Sequence, residues 1–362
     1  MKLFYTTFLL CITVCCFSQE NILSSYFDNI EYVDDLKMYG EEIYCSGYSF
    51  DTTIDDGNAS DAYLVKYDKN MLKPQWTLKV SDEPSNRINA VIKMKDRIYA
   101  LVTQGTIQIN SEDIYLSLFT ITLNGEIEQR QRIGASVLNP SNFTSDGDNL
   151  FFGYQTKTAT TYGGQDVRSV IVKYNLENKT FYGLESSGYQ PRAKKLLLHQ
   201  SDAYLSGIYI HPDQQNFVCL KGKSLSEVSL KAKKTEYFLD SYFAGNTLTI
   251  VCVFPGVYGD LQKYLRYYYV NTDTNAITSK TTYYQDMGWS DVRFDTFSDG
   301  VTTWLIVEEV ESKQLKYVQL DNIGKILKTL PFGEGNGHRE NFIVTNDVLI
   351  NASKGSIRVT RL

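Results

Sequence analysis

The stretch Gly40-Glu41-Glu42-Ile43-Tyr44-Cys45-Ser46-Gly47-Tyr48 places a polar turn directly before a short apolar run. Such a turn followed by β-branched and aromatic residues is typical of a β-hairpin. The same arrangement recurs at intervals of about 45 to 55 residues, and a period of this size indicates a repeat architecture. The apolar runs are centred on Tyr44, Tyr99, Phe151, Tyr204, Thr249, Trp304 and Leu349.

Each repeat holds further strand-like runs. A polar loop and a second apolar run follow the first, as in residues 62–67 and 170–174, and a turn such as 123–126 then leads to a more polar strand. Because the middle strands are apolar on both faces, each sheet is expected to pack between two neighbouring sheets. The pattern therefore predicts an all-β fold, a seven-bladed β-propeller of four-stranded antiparallel blades.

The two ends of the chain complement each other. Residues 356–361 supply one strand after the last apolar run, which leaves the last blade one strand short. Residues 21–30 precede the first blade and have no place in it. We therefore expect the N-terminal strand to complete the last blade, close the ring and remove exposed sheet edges.

Composition and charge indicate the compartment and exclude some partners. The chain of 362 residues has a net charge of −6, which gives no basic surface for nucleic acid. Residues 1–18 combine Lys2 with an apolar stretch too short for a stable membrane span, as in a signal peptide. We expect a mature 19–362 chain that is one monomeric propeller domain with no membrane span, exported to the periplasm, the outer surface or the extracellular space.

Cysteine and histidine usage gives no cofactor or metal site. Removal of the signal leaves Cys45, Cys219 and Cys252, an odd number, each within an apolar run and expected to be buried and inert. The loop 51–61 is acidic but lacks the order of a calcium-binding loop, and is expected to be solvated. The histidines fall in different repeats, which argues against a multi-histidine metal site. They are His199, His211 and His338.

Part of the chain resembles a known repeat. Residues Gly40 to Tyr48, followed by Asp61-Ala62-Tyr63-Leu64-Val65-Lys66-Tyr67-Asp68 and Trp76, are similar to the bacterial β-propeller repeat of the SBBP type. Residues 148–154 and 170–175 repeat the pattern in the third blade. The resemblance implies an exported propeller from a Bacteroidetes-like organism. It carries no catalytic residues over to this chain.

Candidate ligand-binding residues lie where the innermost strands begin, around the central channel. Four arginines there could hold an anionic ligand such as a uronate, or could pair with neighbouring carboxylates. Four aromatic residues in loops on the same face would suit stacking on sugars or docking of a protein, or could pack against neighbouring blades. The candidates are Arg87, Arg192, Arg293, Arg339, Asp240, Asp291, Tyr162, Tyr209, Tyr258 and Trp289.

The sequence favours a non-enzymatic binding module for a glycan or a protein partner on the axial face. The alternative is a carbohydrate-active enzyme, a glycoside hydrolase or lyase that uses acidic residues such as Asp240 and Asp291 at the propeller mouth. Separation of the two carboxyl groups decides between these hypotheses, and the sequence does not give it.

Overall fold

The computed structural model describes most of the chain after the predicted signal segment 1–18, which lies outside the described residues. The described ranges are 22–26, 30–50, 59–70, 72–106, 114–138, 140–159, 165–185, 192–200, 202–210, 215–221, 226–232, 236–254, 263–284, 292–298, 303–309, 312–321, 324–334, 341–345, 348–353 and 355–361.

Within these ranges the regular structure consists of β-strands, with no α-helix. The first half of the chain contains β1 (Ile22–Tyr26), β2 (Tyr32–Tyr39), β3 (Glu42–Phe50), β4 (Ser60–Asp68), β5 (Pro74–Val80), β6 (Ser85–Met94), β7 (Arg97–Gly105), β8 (Tyr115–Thr122), β9 (Ile127–Ala135), β10 (Val137–Leu138), β11 (Thr144–Ser145), β12 (Asn149–Ala159), β13 (Gln165–Asn175) and β14 (Phe181–Glu185). The second half contains β15 (Arg192–His199), β16 (Asp202–Ile210), β17 (Gln215–Lys221), β18 (Ser226–Ala232), β19 (Tyr237–Ala244), β20 (Thr247–Phe254), β21 (Tyr264–Asn271), β22 (Ile277–Tyr283), β23 (Val292–Ser298), β24 (Thr303–Glu309), β25 (Gln314–Leu320), β26 (Ile326–Glu334), β27 (Asn341–Val344), β28 (Val348–Ser353) and β29 (Ser356–Arg361).

The described strands form antiparallel meanders in chain order. β15–β18, β19–β22 and β23–β26 are four-stranded sheets, and β10–β14 form a sheet in which β10 and β11 both pair with β12. An eight-stranded sheet contains β2–β5 and β6–β9, which are joined by a single parallel pair between Ser60 and Ser85. The last sheet contains β27, β28 and β29, and β1 pairs antiparallel with β29 at its edge.

The predicted hairpins agree with these strands. Each predicted apolar run lies in the second strand of its meander, as Tyr44 does in β3 and Leu349 in β28. First strands of successive meanders contact one another, as β2 does β6, β15 does β19 and β19 does β23. The first strand of each meander therefore lies innermost.

The hydrophobic core consists of clusters between neighbouring meanders. Because the middle strands are apolar on both faces, each contributes to two clusters. Seven clusters of described residues each contain members from two neighbouring meanders. Examples of residues that share a cluster are Cys45 and Ile350, Tyr44 and Ala100, Leu101 and Phe152, Phe151 and Leu205, Tyr204 and Ile250, Tyr267 and Leu305, and Ile306 and Leu349. Cys45 and Cys252 are buried free thiols, and burial raises the pKa of both.

A partly buried charge cluster joins β3 to β4 and β6. Glu42 accepts hydrogen bonds from Lys66 at 2.6 Å and from the hydroxyl of Tyr44 at 2.9 Å, and it also pairs with Lys93. Burial alone would raise the pKa of the Glu42 carboxyl, yet these three donors lower it from 4.5 to about 2. The cluster therefore favours the ionised carboxylate in the folded protein.

Replacement of Glu42 by glutamine is expected to reduce stability in a pH-dependent way. Since the carboxyl pKa is lower in the folded than in the unfolded state, its contribution is complete above about pH 5 and is lost as the pH falls toward 2. Urea unfolding should show a loss of about 1 to 2 kcal/mol at pH 6, because solvent screens the partly exposed cluster. The loss should be much smaller near pH 2.5. A loss of equal size at both pH values would contradict the assignment.

Candidate functional site

Four of the inner strands, β2, β6, β15 and β19, carry a β-bulge near the end at which they begin, here called the entrance end. The pairing of first and second strands shifts by one residue between Val33 and Asp35, between Ile88 and Ala90, and in the corresponding parts of β15 and β19. A bulge adds an unpaired residue and bends the strand. These bulges therefore define an equivalent segment in the four strands, from the start of each strand to its shift. β23 pairs with β24 without a shift and is aligned with them by register.

One position in this segment carries tyrosine or arginine in most of the meanders. It pairs with the residue four places after the centre of the predicted apolar run, as Tyr32 pairs with Tyr48 and Arg87 with Thr103. The position is Leu138 in β10, and its counterpart in the last sheet lies outside the described residues. We call the set of tyrosines and arginines the mouth ring. It consists of Tyr32, Arg87, Arg192, Tyr237 and Arg293.

Two members of the mouth ring have side chains that are well exposed at the entrance end. The Arg87 side chain is 48% exposed and Tyr237 is 51% exposed. Tyr237 belongs to the same register position as Arg87, so the two exposed side chains lie at equivalent places in their strands. The entrance end therefore presents both a hydrogen-bond donor and an aromatic surface to solvent.

Arg87 is held by a carboxylate from the neighbouring inner strand. Its Nε donates to Asp34 Oδ2 at 2.7 Å, and its Nη2 contacts Asp34 Oδ1. The guanidinium also lies over the ring of Tyr48, 4.8 Å from the ring centroid. Partial burial alone would lower the pKa of Arg87, but Asp34 raises it above its ordinary value. Asp34 thus neutralises the charge of Arg87 in place.

A group of three aromatic rings adjoins this ion pair through Tyr48. Tyr32 stacks on Tyr48 with centroids 5.1 Å apart, and Phe50 meets both rings edge-on at 5.5 Å. Phe50 is 40% exposed, and its backbone N–H donates to Glu31 Oε2 at 3.4 Å. We call Tyr32, Tyr48, Phe50, Asp34 and Arg87 the blade-one cluster.

A glycine permits the close approach of the two strands that carry this cluster. A Cβ built on Gly47 would lie 2.0 Å from the carbonyl oxygen of Tyr32. Only glycine leaves the backbone of β3 room beside β2 at this point. Gly47 therefore fixes the position of Tyr32 relative to Tyr48.

A second polar cluster is buried beside Tyr237. Glu236 is fully buried and accepts hydrogen bonds from the hydroxyls of Tyr264 at 2.7 Å and Tyr268 at 2.6 Å. It also forms an ion pair with Arg266 Nη1 at 2.6 Å. Burial and the hydrogen bond to Glu236 raise the pKa of Tyr264, which favours its neutral, donating form. Each Glu236 oxygen thus has a donor, as a buried carboxylate requires.

Deeper along β19, Asp240 pairs with a lysine of the neighbouring inner strand. Asp240 is 4% exposed, and its Oδ1 contacts Lys195 and accepts the N–H of Ser241 at 2.8 Å. Its counterpart Asp35 accepts the N–H of Val91 at 2.9 Å. These residues lie after the bulges and link neighbouring inner strands below the entrance.

The structure brings only some of the predicted site residues to one position. Arg87, Arg192 and Arg293 share one register position, whereas Asp240 lies below the mouth ring. Tyr209 lies in β16, paired with Asn216, and not in a loop as expected. The remaining predicted residues lie outside the described ranges, and they are Asp291, Arg339, Tyr162, Tyr258 and Trp289.

Three residues near the entrance were not predicted from the sequence, namely Tyr32, Tyr237 and Glu236. A signal for them is present, because Glu31-Tyr32-Val33-Asp34-Asp35 and Glu236-Tyr237-Phe238-Leu239-Asp240 share a glutamate, a tyrosine and an aspartate at the same spacing. Both segments begin an inner strand and contain a bulge before the aspartate. The shared pattern marks the entrance position independently of the arginines.

Two kinds of feature are absent from the described residues. These residues contain no group of three or more histidine, cysteine, aspartate or glutamate side chains that could hold a metal ion. In the same part of the chain, no helix has the length and apolarity required to cross a membrane.

Comparison with known proteins gives similarity in structure but not in sequence. No family model matches the chain, and no curated protein is similar to it in sequence. The WD40 domain of SCAP from fission yeast has a TM-score of 0.48 at 9% identity, covering 94% of this chain and 98% of that chain. A protein of unknown function from Bacteroides caccae has a TM-score of 0.45 at 12% identity, covering 80% of this chain and 93% of that chain.

A third solved structure is similar enough to bear on the fold. The β-propeller domain of the Trilobed protease from Pyrococcus furiosus has a TM-score of 0.54 at 11% identity and covers 92% of this chain and 94% of that chain. At this identity the likeness concerns the fold alone. Together with the antiparallel meanders described above, it shows that the chain is a β-propeller protein.

Proposed function

We propose that the protein is a seven-bladed propeller whose ring is closed by its N-terminal strand. The eight-stranded sheet counts as two blades, because only the Ser60–Ser85 pair joins its halves. Pairing of β1 with β29 supports closure, as does the hydrogen bond from Asn341 Nδ2 to the carbonyl of Val33 at 2.8 Å, which joins residues 308 apart in sequence. The apolar clusters that link neighbouring meanders, including the first and the last, support the same arrangement.

We further propose that this propeller is an exported monomer related to the SBBP-type repeat proteins. The support is the signal-like segment 1–18 and the residues of the first blade that resemble the repeat. Location in the periplasm, on the outer surface or outside the cell is part of this proposal.

The proposed activity is non-enzymatic binding of a glycan at the entrance end. The observation that carries it is the mouth ring, in which arginine and tyrosine recur at one register position around the inner strands. Aromatic rings with a few convergent donors are typical of ligand sites. Of the described carboxylates near the entrance, Asp34, Glu236 and Asp240 each pair with an arginine or a lysine, which supports binding over the carbohydrate-active enzyme.

The test is a thermal-shift and calorimetric screen of the purified protein against neutral and acidic glycans. A glycan at 100 times its Kd should stabilise the fold by about 2.7 kcal/mol. Binding should be lost in the double variant Arg87→Ala/Tyr237→Ala and kept in Tyr182→Ala, because Tyr182 is 63% exposed on the outer strand β14. If no glycan binds, or if the double variant binds as well as the wild type, the proposal is wrong, and a protein ligand takes its place. Release of shortened products would instead support the enzyme.

A further inference from the structure

We propose that the blade-one cluster is the subsite for one uncharged sugar ring of that glycan. This inference rests on the proposed function and adds the class of sugar and the residues that hold it. It differs from the anionic ligand that the arginines alone predict.

The apolar part of the subsite is a corner formed by aromatic rings. Tyr48 is enclosed, because Tyr32 stacks on it and the Arg87 guanidinium lies over its ring. Phe50 stands nearly perpendicular to both tyrosines, at interplanar angles of 77° and 88°, and is exposed at the end of β3. The C–H face of a pyranose ring packs on such a surface, and an aromatic ring contributes both area and a defined orientation.

The polar part of the subsite is the Arg87 guanidinium, which has N–H groups that are not bonded to Asp34. The Nε and Nη2 atoms of Arg87 are bound to Asp34, which leaves the Nη1 donors of a half-exposed side chain directed to neither oxygen of Asp34. The Asp34 side chain is only 8% exposed, so it holds the guanidinium from beneath. A guanidinium fixed in this way presents N–H groups to sugar hydroxyls at little entropic cost.

The charge of the subsite decides the class of sugar. Arg87 and Asp34 form a neutral pair, and the nearby Glu31, which holds the backbone of Phe50, adds a negative charge. Among the described side chains of the blade-one cluster, the one cation is paired with Asp34, so a carboxylate ligand would gain little attraction from it and would be repelled by Glu31. A neutral sugar ring that bears hydroxyl groups is not repelled by Glu31 and needs no unpaired cation.

The experiment uses matched pairs of oligosaccharides that differ only at C6. Neutral gluco-, galacto- and manno-oligosaccharides are compared by calorimetry with the corresponding oligo-uronates. The wild-type protein should bind the neutral member of at least one pair about tenfold more tightly than the acidic member. Phe50→Ala should weaken that binding about tenfold, and Phe50→Leu should also weaken it, because leucine keeps apolar volume but has no flat ring. Tyr182→Ala is the control with unchanged binding.

A second variant tests the charge argument directly. Asp34→Asn keeps the size of the side chain but leaves Arg87 as an uncompensated cation, so preference should shift toward the uronate by about tenfold. Circular dichroism melts of each variant verify that it is folded.

A wild-type preference for uronates, or unchanged binding in Phe50→Ala, would overturn the inference. If the wild-type protein binds a glycan, and this binding is lost in Tyr237→Ala but kept in Phe50→Ala, the proposed function stands and this subsite does not. If nothing binds, both are wrong.

Discussion

Replacement of Gly47 by alanine is expected to destabilise the protein by about 3 kcal/mol and to disorder the entrance end of β2 and β3. The added Cβ would lie 2.0 Å from the carbonyl oxygen and 2.9 Å from the carbonyl carbon of Tyr32, and 2.8 Å from Ile30 Cγ2. Two of these atoms are backbone, which cannot turn aside as a side chain can. Separation of the strands would also break the hydrogen bond from Glu31 N to the Tyr48 carbonyl at 3.2 Å.

Gly40→Ala is the matched control for this prediction. Gly40 has a φ of +63° in the turn before β3, and a Cβ there would meet nothing within 4 Å. Alanine at this position is expected to destabilise the protein by about 1 kcal/mol, because it must adopt the left-handed backbone conformation. Urea unfolding of both variants measures the difference. If Gly47→Ala is no more destabilising than Gly40→Ala, the bulge and the register around it are not as described.

Replacement of Arg266 by methionine is expected to destabilise the protein by about 3 kcal/mol. The change leaves the fully buried carboxylate of Glu236 without its cation, and removal of one partner from a buried ion pair is more costly than the pair itself is stabilising. The hydrogen bonds from Tyr264 and Tyr268 remain but carry no compensating charge. Chemical unfolding at neutral pH measures the loss.

Two further variants separate charge from packing. Lys79→Met removes an exposed cation from its pair with Asp61, and is expected to change stability by about 0.5 kcal/mol or less. Arg266→Met/Glu236→Gln removes both charges of the buried pair and is expected to recover part of the loss. Equal destabilisation by Arg266→Met and by the double variant would mean that the arginine acts through packing alone.

The hairpins of the fold could be predicted because their causes are local. Tyr44 and Leu349 follow turns whose residues tolerate hairpin geometry, and both lie in the second strand of a meander. The strand 356–361 was likewise expected, and β29 has these bounds. Short apolar runs and the turn residues before them are local features, so they can be read from the chain directly.

The candidate site could be predicted only in part, because it depends on register and on contacts between distant residues. The arginines at the entrance were predicted from the sequence. Their partners were not, because Asp34, which pairs with Arg87, is the extra residue of a bulge that the sequence pattern does not locate. Glu236 bonds to tyrosines 28 and 32 residues later, which no local pattern specifies. Tyr209 was expected in a loop because His211 and Pro212 follow it, yet β16 extends to Ile210.

The pairing of β1 with β29 has a consequence for the order in which the chain assembles. Ile22 lies opposite Thr360, so the edge of the last sheet cannot be completed until nearly the whole polypeptide has been made. The entropic cost of closing a loop rises by about 0.6 kcal/mol for each doubling of loop length. The contact between β1 and β29 closes the longest loop, so it is expected to form late. A circular permutant that links β29 to β1 and opens the chain at Lys95-Asp96 would turn the same contact into a local hairpin, with the strand pairings otherwise unchanged.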